Sequence, residues 1–359
     1  MRMDPMCAFC YKRDSPEKLK LCGKCFLRRY CSPECQKLDW GKSGQWHQSF
    51  CALGCGEEGD SWEVRFISDA VGFGVFATKP FAAGQRIMVE RAIPTALLWS
   101  EARAQLASSA AAGNDAATAS RAESLHEAVM DLAPRTDSLM RKLNTNAISL
   151  GPSGPSTPGG ICVRMSRVNH RCDNNADHYF IRHTGRTNGV CALFATQAIR
   201  VDEQIFISYV DRISPGHTIQ EHAARLLVQY GITCGPECAC KSDVYKQNVR
   251  RANELDASII ALGSQGQGRQ QRQALKAAKE LLALYDEMGG VSANAYKRTY
   301  YDAFQVAVMS RCTIAEASGF IKSARAMDLL MAGYDTEDGL RYRDLLADPS
   351  CHRNYMMGI

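Results

Sequence analysis

The hydrophobic pattern changes character along the chain. Residues 1–55 are short of aliphatic side chains and rich in Cys, Lys and Arg. Such a segment cannot fold on an apolar core alone and needs a staple. From Ser61 apolar and polar residues alternate, first in Trp62-Glu-Val-Arg-Phe-Ile67 and again in short runs at Gly74–Ala77, Arg86–Glu90, Ala192–Phe194 and Ile205–Tyr209. Turn signals such as Ala-Ala-Gly84 and Thr-Asn-Gly189 separate them. Many short strands without long helices between them predict a β-rich region, not a doubly wound α/β sheet. From about Tyr245 the period lengthens: Ala274, Leu275, Ala278, Leu281, Leu282 and Tyr285 lie at helical spacing. Thr313-Ile-Ala-Glu316 has the form of a capping box opening a helix that ends near Gly333, and a last helix stops before Pro349. The pattern predicts an α+β protein: a metal-stapled finger (1–55), a β-rich domain (62–240) with an insert at about 95–160, and an α-helical C-terminal region (241–359) of stacked hairpins.

Two stretches break the β-rich domain. Ala102–Ser124 is Ala/Ser-rich and reads as a helical hairpin or a mobile insert; Gly151–Gly160 (GPSGPSTPGG) reads as a loop. Gly72-Phe73-Gly74-Val-Phe-Ala77 has the G-x-G-x-x-A form of a dinucleotide fingerprint, which requires a helix directly after the glycines. Here β-branched and aromatic residues follow, then Pro80 and Gly84, so that reading fails.

Composition adds limits. A net charge of +5 is mild for 359 residues and gives no basic stripe for nucleic acid. Residues 1–60 hold ten Lys/Arg against eight Asp/Glu, too balanced for strong phosphate attraction, so direct DNA binding is disfavoured. No apolar run is long enough to cross a bilayer, and MRMDPMCAFCYKRD has no apolar signal core. The expectation is a chain of the nucleus, the cytoplasm or both, where cysteines stay reduced.

Sixteen cysteines then become metal chemistry, and eight of them fall in the first 55 residues. Cys7-x2-Cys10, Cys22-x2-Cys25, Cys31-x3-Cys35 and His47-x3-Cys51 are four pairs. Each lets one tight turn present two donors to a tetrahedral Zn²⁺, making two closed sites with no open position for catalysis. Spacing does not say which pairs share a metal. The pair order, the closing His-x3-Cys and the run Arg-Tyr30-Cys31-Ser-Pro-Glu-Cys35-Gln resemble the MYND finger. That resemblance implies a cross-brace, with Cys7, Cys10, Cys31 and Cys35 on one zinc and Cys22, Cys25, His47 and Cys51 on the other. It also implies a role in binding protein partners.

Further motifs follow in order: Ser166-Arg-Val-Asn169-His170-Arg-Cys172-Asp-Asn-Asn175, Ile199-Arg-Val-Asp-Glu203-Gln-Ile205-Phe-Ile-Ser-Tyr209, and Leu227-Val-Gln-Tyr230-Gly-Ile-Thr-Cys234 leading to Cys238 and Cys240. With Gly72–Gly74 they resemble a SET-domain protein lysine methyltransferase of the SET/MYND type, the finger preceding the SET domain. The resemblance implies S-adenosylmethionine as cofactor, held by Gly72, Phe73, Gly74, Asn146, Asn169, His170 and Tyr209. It implies Tyr209 as the catalytic tyrosine that orients the amine, and a histone or non-histone lysine as substrate. It also implies a post-SET zinc site, here Cys172, Cys234, Cys238 and Cys240. The remaining Cys55, Cys162, Cys191, Cys312 and Cys351 are expected to be free and mostly buried. The sequence departs from the family pattern in four places. Arg171 stands for a small residue, Asn174 for a proline, Asp202-Glu203-Gln204 for Gly-Glu-Glu, and Ile232 for an aromatic. The competing function is an adaptor, in which the finger recruits partners and the SET fold is only scaffold.

Overall fold

The structure, a computed structural model, describes residues 2–40, 47–48, 51, 55–95, 124–132, 138–150, 159–182, 189–210, 218–263, 268–289, 291–332 and 336–357. They form two compact units, Met1–Asn169 with His178–Phe206, and His170–Asp177 with Ile207–Ile359. Most of the Ala/Ser-rich insert and residues 151–158 lie outside the described residues.

The first unit opens with the finger. Strands β1 (Lys20–Leu21) and β2 (Arg29–Tyr30) pair antiparallel, and helix α1 (Pro33–Trp40) follows. Among the described residues its interior is Cys7, Ala8, Leu19, Cys22, Tyr30 and Cys51, as expected of a metal-stapled segment. Asp39, buried, accepts the Tyr30 hydroxyl at 2.7 Å.

The β-rich part contains β3 (Trp62–Ser68), β4 (Gly72–Ala77), β5 (Arg86–Arg91), β6 (Ile93–Pro94), β7 (Ile148–Ser149), β8 (Gly159–Ile161), β9 (Asn169–His170), β10 (Ala176–Arg182), β11 (Gly189–Ala195) and β12 (Phe206–Ile207). They assemble as small sheets: β3–β4, β10–β11–β5, β6–β8–β7 and β9–β12. In the first, Trp62 faces Ala77 and Val64 faces Val75; in the second, Ala192 faces Val89. β11, Gly-Val-Cys-Ala-Leu-Phe-Ala, is buried at every position, so its sequence is an apolar run rather than an alternation. Gly159-Gly160, expected to belong to a loop, instead pair in β8 with Ser149 and Ile148. Helix α2 (Leu139–Asn146) is capped by Ser138, whose hydroxyl accepts the Arg141 N–H.

The finger is joined to this core along its whole entry. Arg2 bridges to Arg65, and the Met3 N–H donates to the Val64 carbonyl at 2.9 Å. Met6 and Tyr11 are buried with Ile93, Leu125, Val129, Leu132, Leu143, Ile161 and Val163. Beside them runs a buried ionic seam. Arg164 donates to Glu58 Oε2 at 2.9 Å and to the Met6 carbonyl at 2.8 Å. Glu90, only 2% exposed, accepts the Arg164 N–H at 2.9 Å and the Met165 N–H at 3.0 Å. Removing one member of a buried pair strands the other charge. Arg164→Ala is therefore expected to lower unfolding stability by about 3–5 kcal/mol, read as a fall in the urea midpoint, with Glu58→Gln in the same chain recovering part of it. An unchanged midpoint would show that the seam is not structural.

In the second unit, α3 (Ile219–Tyr230) starts at a complete capping box: Thr218 Oγ1 accepts the Glu221 N–H at 3.2 Å, and Glu221 Oε2 accepts the Thr218 N–H at 2.6 Å. Then come α4 (Asp243–Gly263), α5 (Gly268–Met288), α6 (Ala293–Ala307), α7 (Ile314–Ala332) and α8 (Glu337–Ala347). α4 packs on α5, α5 on α6, α6 on α7 and α7 on α8, around Leu255, Leu281, Tyr285, Phe304 and Ile321. The box expected at Thr313 is not made. Its hydroxyl donates to the Ala307 carbonyl at 2.6 Å, and Glu316 turns outward to Lys279 at 2.5 Å. No helix among the described residues is long and apolar enough to cross a membrane.

Candidate functional site

The eight finger ligands gather as two foursomes, Cys7, Cys10, Cys31 and Cys35, and Cys22, Cys25, His47 and Cys51; within each, all donor atoms lie within 4.8 Å of one another. The Cys10 and Cys35 sulfurs each lie 3.5 Å from Cys31, and His47 Nε2 is 3.1 Å from Cys22 and 3.4 Å from Cys25. Four donors at these separations fit one tetrahedral Zn²⁺. The turns are built for it. Tyr11 and Phe26, each just after the second Cys of its pair, sit at φ 66° and 55°. Their N–H groups donate back to the Cys7 and Cys22 carbonyls at 3.1 and 2.9 Å. Left-handed aromatics cost roughly 1–3 kcal/mol each, which metal binding offsets. Burial pushes the Cys25 and Cys35 thiols up to about 12, while the hydrogen bond with Cys10 brings Cys7 down to about 5, so within the first foursome the thiols differ in how readily they ionise.

The glycine motif lies on β4. Gly72 has φ +80° and open space where a Cβ would stand. Gly74 is the reverse: a Cβ there would fall 2.5 Å from Gln204 Nε2 and 2.9 Å from Asn169 Nδ2. Only hydrogen at that position lets the Asn169 amide reach the Phe73 carbonyl, to which it donates at 3.0 Å. The Phe73 ring is held by Phe66, 5.5 Å away edge-on, and by the Arg167 guanidinium at 5.5 Å. Arg167 is itself fixed by Asp131, at 2.6 Å. Asn146 ends α2 and donates to the Lys142 carbonyl at 2.8 Å.

In the second unit, His170 Nδ1 accepts the Tyr209 N–H at 3.1 Å. The Tyr209 ring lies 5.5 Å from His170 and 4.9 Å from Tyr230, whose hydroxyl donates to the Tyr209 carbonyl at 3.4 Å. Burial pushes the Tyr209 phenol above its usual value, so it stays protonated at physiological pH. Cys172, Cys234, Cys238 and Cys240 also gather within 4.8 Å. Cys172 to Cys234 is 3.8 Å and Cys240 to Cys238 is 3.5 Å, again a tetrahedral spacing. The reversed Cys-x3-Cys-x-Cys order is accommodated because Ala239–Lys241 form a 3-10 turn.

Each departure from the family pattern has a local answer. Asp202 adopts φ +64°, the left-handed conformation a glycine would supply, and its carboxylate pairs with Arg65 at 2.6 Å. Asn174, 2% exposed, donates to the Ala176 carbonyl at 2.7 Å, holding by hydrogen bond a turn that proline would hold covalently. Arg171 projects outward and pairs with Asp173. Ile232 packs against the cysteine cluster with Val210 and Leu226. Of the remaining cysteines, Cys162 and Cys191 are buried and Cys55 partly so, but Cys312 and Cys351 are exposed. Sequence reasoning missed His222, whose Nε2 lies 3.5 Å from Cys172. The Thr218-x-x-Glu221 capping pattern would have placed it on the first turn of a helix.

Comparisons with known proteins agree with this layout. The MYND finger model matches residues 7–51 and the SET domain model residues 72–210. The chain thus carries a MYND finger followed by a SET domain. Over 98 residues it is 33% identical to the histone-lysine N-methyltransferase SET5 of Scheffersomyces stipitis, covering 27% of this chain and 19% of that protein. The N-lysine methyltransferase SMYD2-A of Danio rerio is 26% identical over 252 residues, 68% of this chain and 53% of the relative. SMYD2 of Homo sapiens is 27% identical over 256 residues, 69% and 54%. The chain thus spans about half the length of the SMYD2 relatives it matches.

Proposed function

We propose that the chain is an S-adenosylmethionine-dependent protein-lysine N-methyltransferase whose MYND finger recruits protein partners, working in the nucleus, the cytoplasm or both. The observation that carries this reading is the bond from the Tyr209 N–H to His170 Nδ1, because it fixes the candidate catalytic tyrosine to the candidate cofactor loop. In this reading Gly72, Phe73, Gly74, Asn146, Asn169 and His170 hold the cofactor. The fit rests on the open, positive-φ edge at Gly72 and on Asn169, immobilised one residue from His170. When bound, the cofactor supplies a methyl group activated by its sulfonium.

The chain's own residues do the rest. A lysine is protonated in water, and only its neutral amine is nucleophilic. Taking it into the aromatic surroundings of Tyr209, Tyr230 and His170 removes water and lowers its pKa. The Tyr209 hydroxyl, kept neutral by burial, accepts one hydrogen bond from an amine N–H and so leaves the nitrogen lone pair aligned and free for in-line attack. Cys172, Cys234, Cys238 and Cys240 hold a third zinc with a closed ligand set, serving structure. The substrate is a lysine of a histone or another protein.

A thermal-shift titration tests the reading. A ligand that binds only the native state at about 100 times its Kd adds about 2.7 kcal/mol, a rise in Tm of about 2–4 °C. A flat melting temperature, with partner binding by the finger intact, would replace the enzyme by an adaptor.

A further inference from the structure

Cys172 belongs to two groupings at once. It completes the candidate metal site with Cys234, Cys238 and Cys240, and it stands within 4.8 Å of donors on His170 and His222. His170 Nε2 is 3.4 Å from its sulfur and His222 Nε2 is 3.5 Å away. The two imidazoles flank the thiol, their ring centroids 6.0 Å apart. The direction of one contact follows from its other end. Because His170 Nδ1 accepts the Tyr209 N–H, a neutral His170 carries its proton on Nε2, which points at sulfur. His222 is buried and set on α3 by the Thr218–Glu221 capping box, so its reach to Cys172 is built into the fold.

A zinc ion with four thiolates carries a net charge of about −2, and a buried site of that charge needs donors to its sulfurs. We propose that His222, together with His170, donates to the Cys172 thiolate. Through that shared sulfur, metal occupancy and the placement of the His170–Tyr209 pair become one linked equilibrium. The inference rests on the reading of this cluster as a zinc site. His222 is a positioning residue here: it acts through Cys172, the ligand that lies two residues from His170.

The test uses the full chain, with wild type, His222→Gln, which keeps an N–H donor, and His222→Met, which does not. Zinc per chain is measured by elemental analysis and its release followed with a chromophoric chelator. Loss of an outer hydrogen-bond partner typically weakens a metal site about 10–100-fold. One zinc of three should therefore leave His222→Met faster by about that factor, with the finger zincs unaffected and His222→Gln close to wild type. If His222→Met is not recovered folded, as judged by helicity, His222→Ala is read in its place. Release at the wild-type rate from a folded variant lacking the donor overturns the role of His222. So does equal acceleration in the Gln and Met variants, since packing alone would produce it. A cobalt-substituted protein with the spectrum of mixed imidazole and thiolate ligation at the third site would make His222 a ligand and overturn the donor role. Two zincs per chain in the wild type would instead remove the third site itself, and the inference with it.

Discussion

Tyr209→Phe is expected to lower methyl transfer by about 10²-fold or more while cofactor affinity stays near that of the wild type. The substitution removes one oxygen and keeps the ring that packs on Tyr230 and His170. The Tyr209 N–H to His170 bond is made by backbone and survives the change. What is lost is the group that aligns the amine, and misplacement of a reacting atom by about 1 Å costs roughly that factor. Single-turnover transfer to a protein substrate, with affinity measured separately by calorimetry, distinguishes the two effects. Transfer at the wild-type rate would remove Tyr209 from the mechanism.

The second large effect is on folding. Apparent zinc binding free energies at structural sites are about 10–16 kcal/mol at neutral pH. Among the described residues the finger's own interior is too small to replace that term, since half of its buried apolar cluster is cysteine. Chelation is therefore expected to unfold residues 7–51 outright, not to loosen them. Trp40 reports the change, because its ring lies 5.5 Å edge-on to the ligand His47. Its fluorescence should shift as metal leaves, and Trp40→Phe should remove the Trp40 share of that signal, leaving only what Trp46, the residue before His47, contributes. Acidification should do the same, because protons compete for the thiolates. An unchanged Trp40 signal after two equivalents of zinc have been removed would contradict the staple.

How much was legible in the sequence follows from where the information lies. The ligand foursomes were readable because Cys-x2-Cys spacing is a local constraint, though the choice of partners needed the family resemblance. β3 to β5 were readable from alternation and turn residues. Helix α3 was less so, since Leu227 to Tyr230 reads as part of a motif and the Thr218-x-x-Glu221 box that opens the helix stands apart from it. The Thr313 box failed for the opposite reason: its local pattern is right, but a buried hydroxyl found the Ala307 carbonyl first. The four departures from the family pattern were visible as letters, yet their meaning was tertiary. Asp202 looks like a lost glycine until Arg65, 137 positions away in sequence, is seen to hold it.

The bond from Met3 to Val64 and the bridge from Arg2 to Arg65 carry a consequence for how this protein can be taken apart. Residues ahead of the first zinc ligand cover one side of β3, and Met6 and Tyr11 fill the adjoining core. A fragment beginning after residue 55 would start with β3 uncovered, the kind of edge on which chains stick to one another. The matching finger fragment would display Met6 and Tyr11 to water. In this chain the finger and the β-rich domain share one hydrophobic interior, so deleting the finger tests folding before it tests the proposed recruitment.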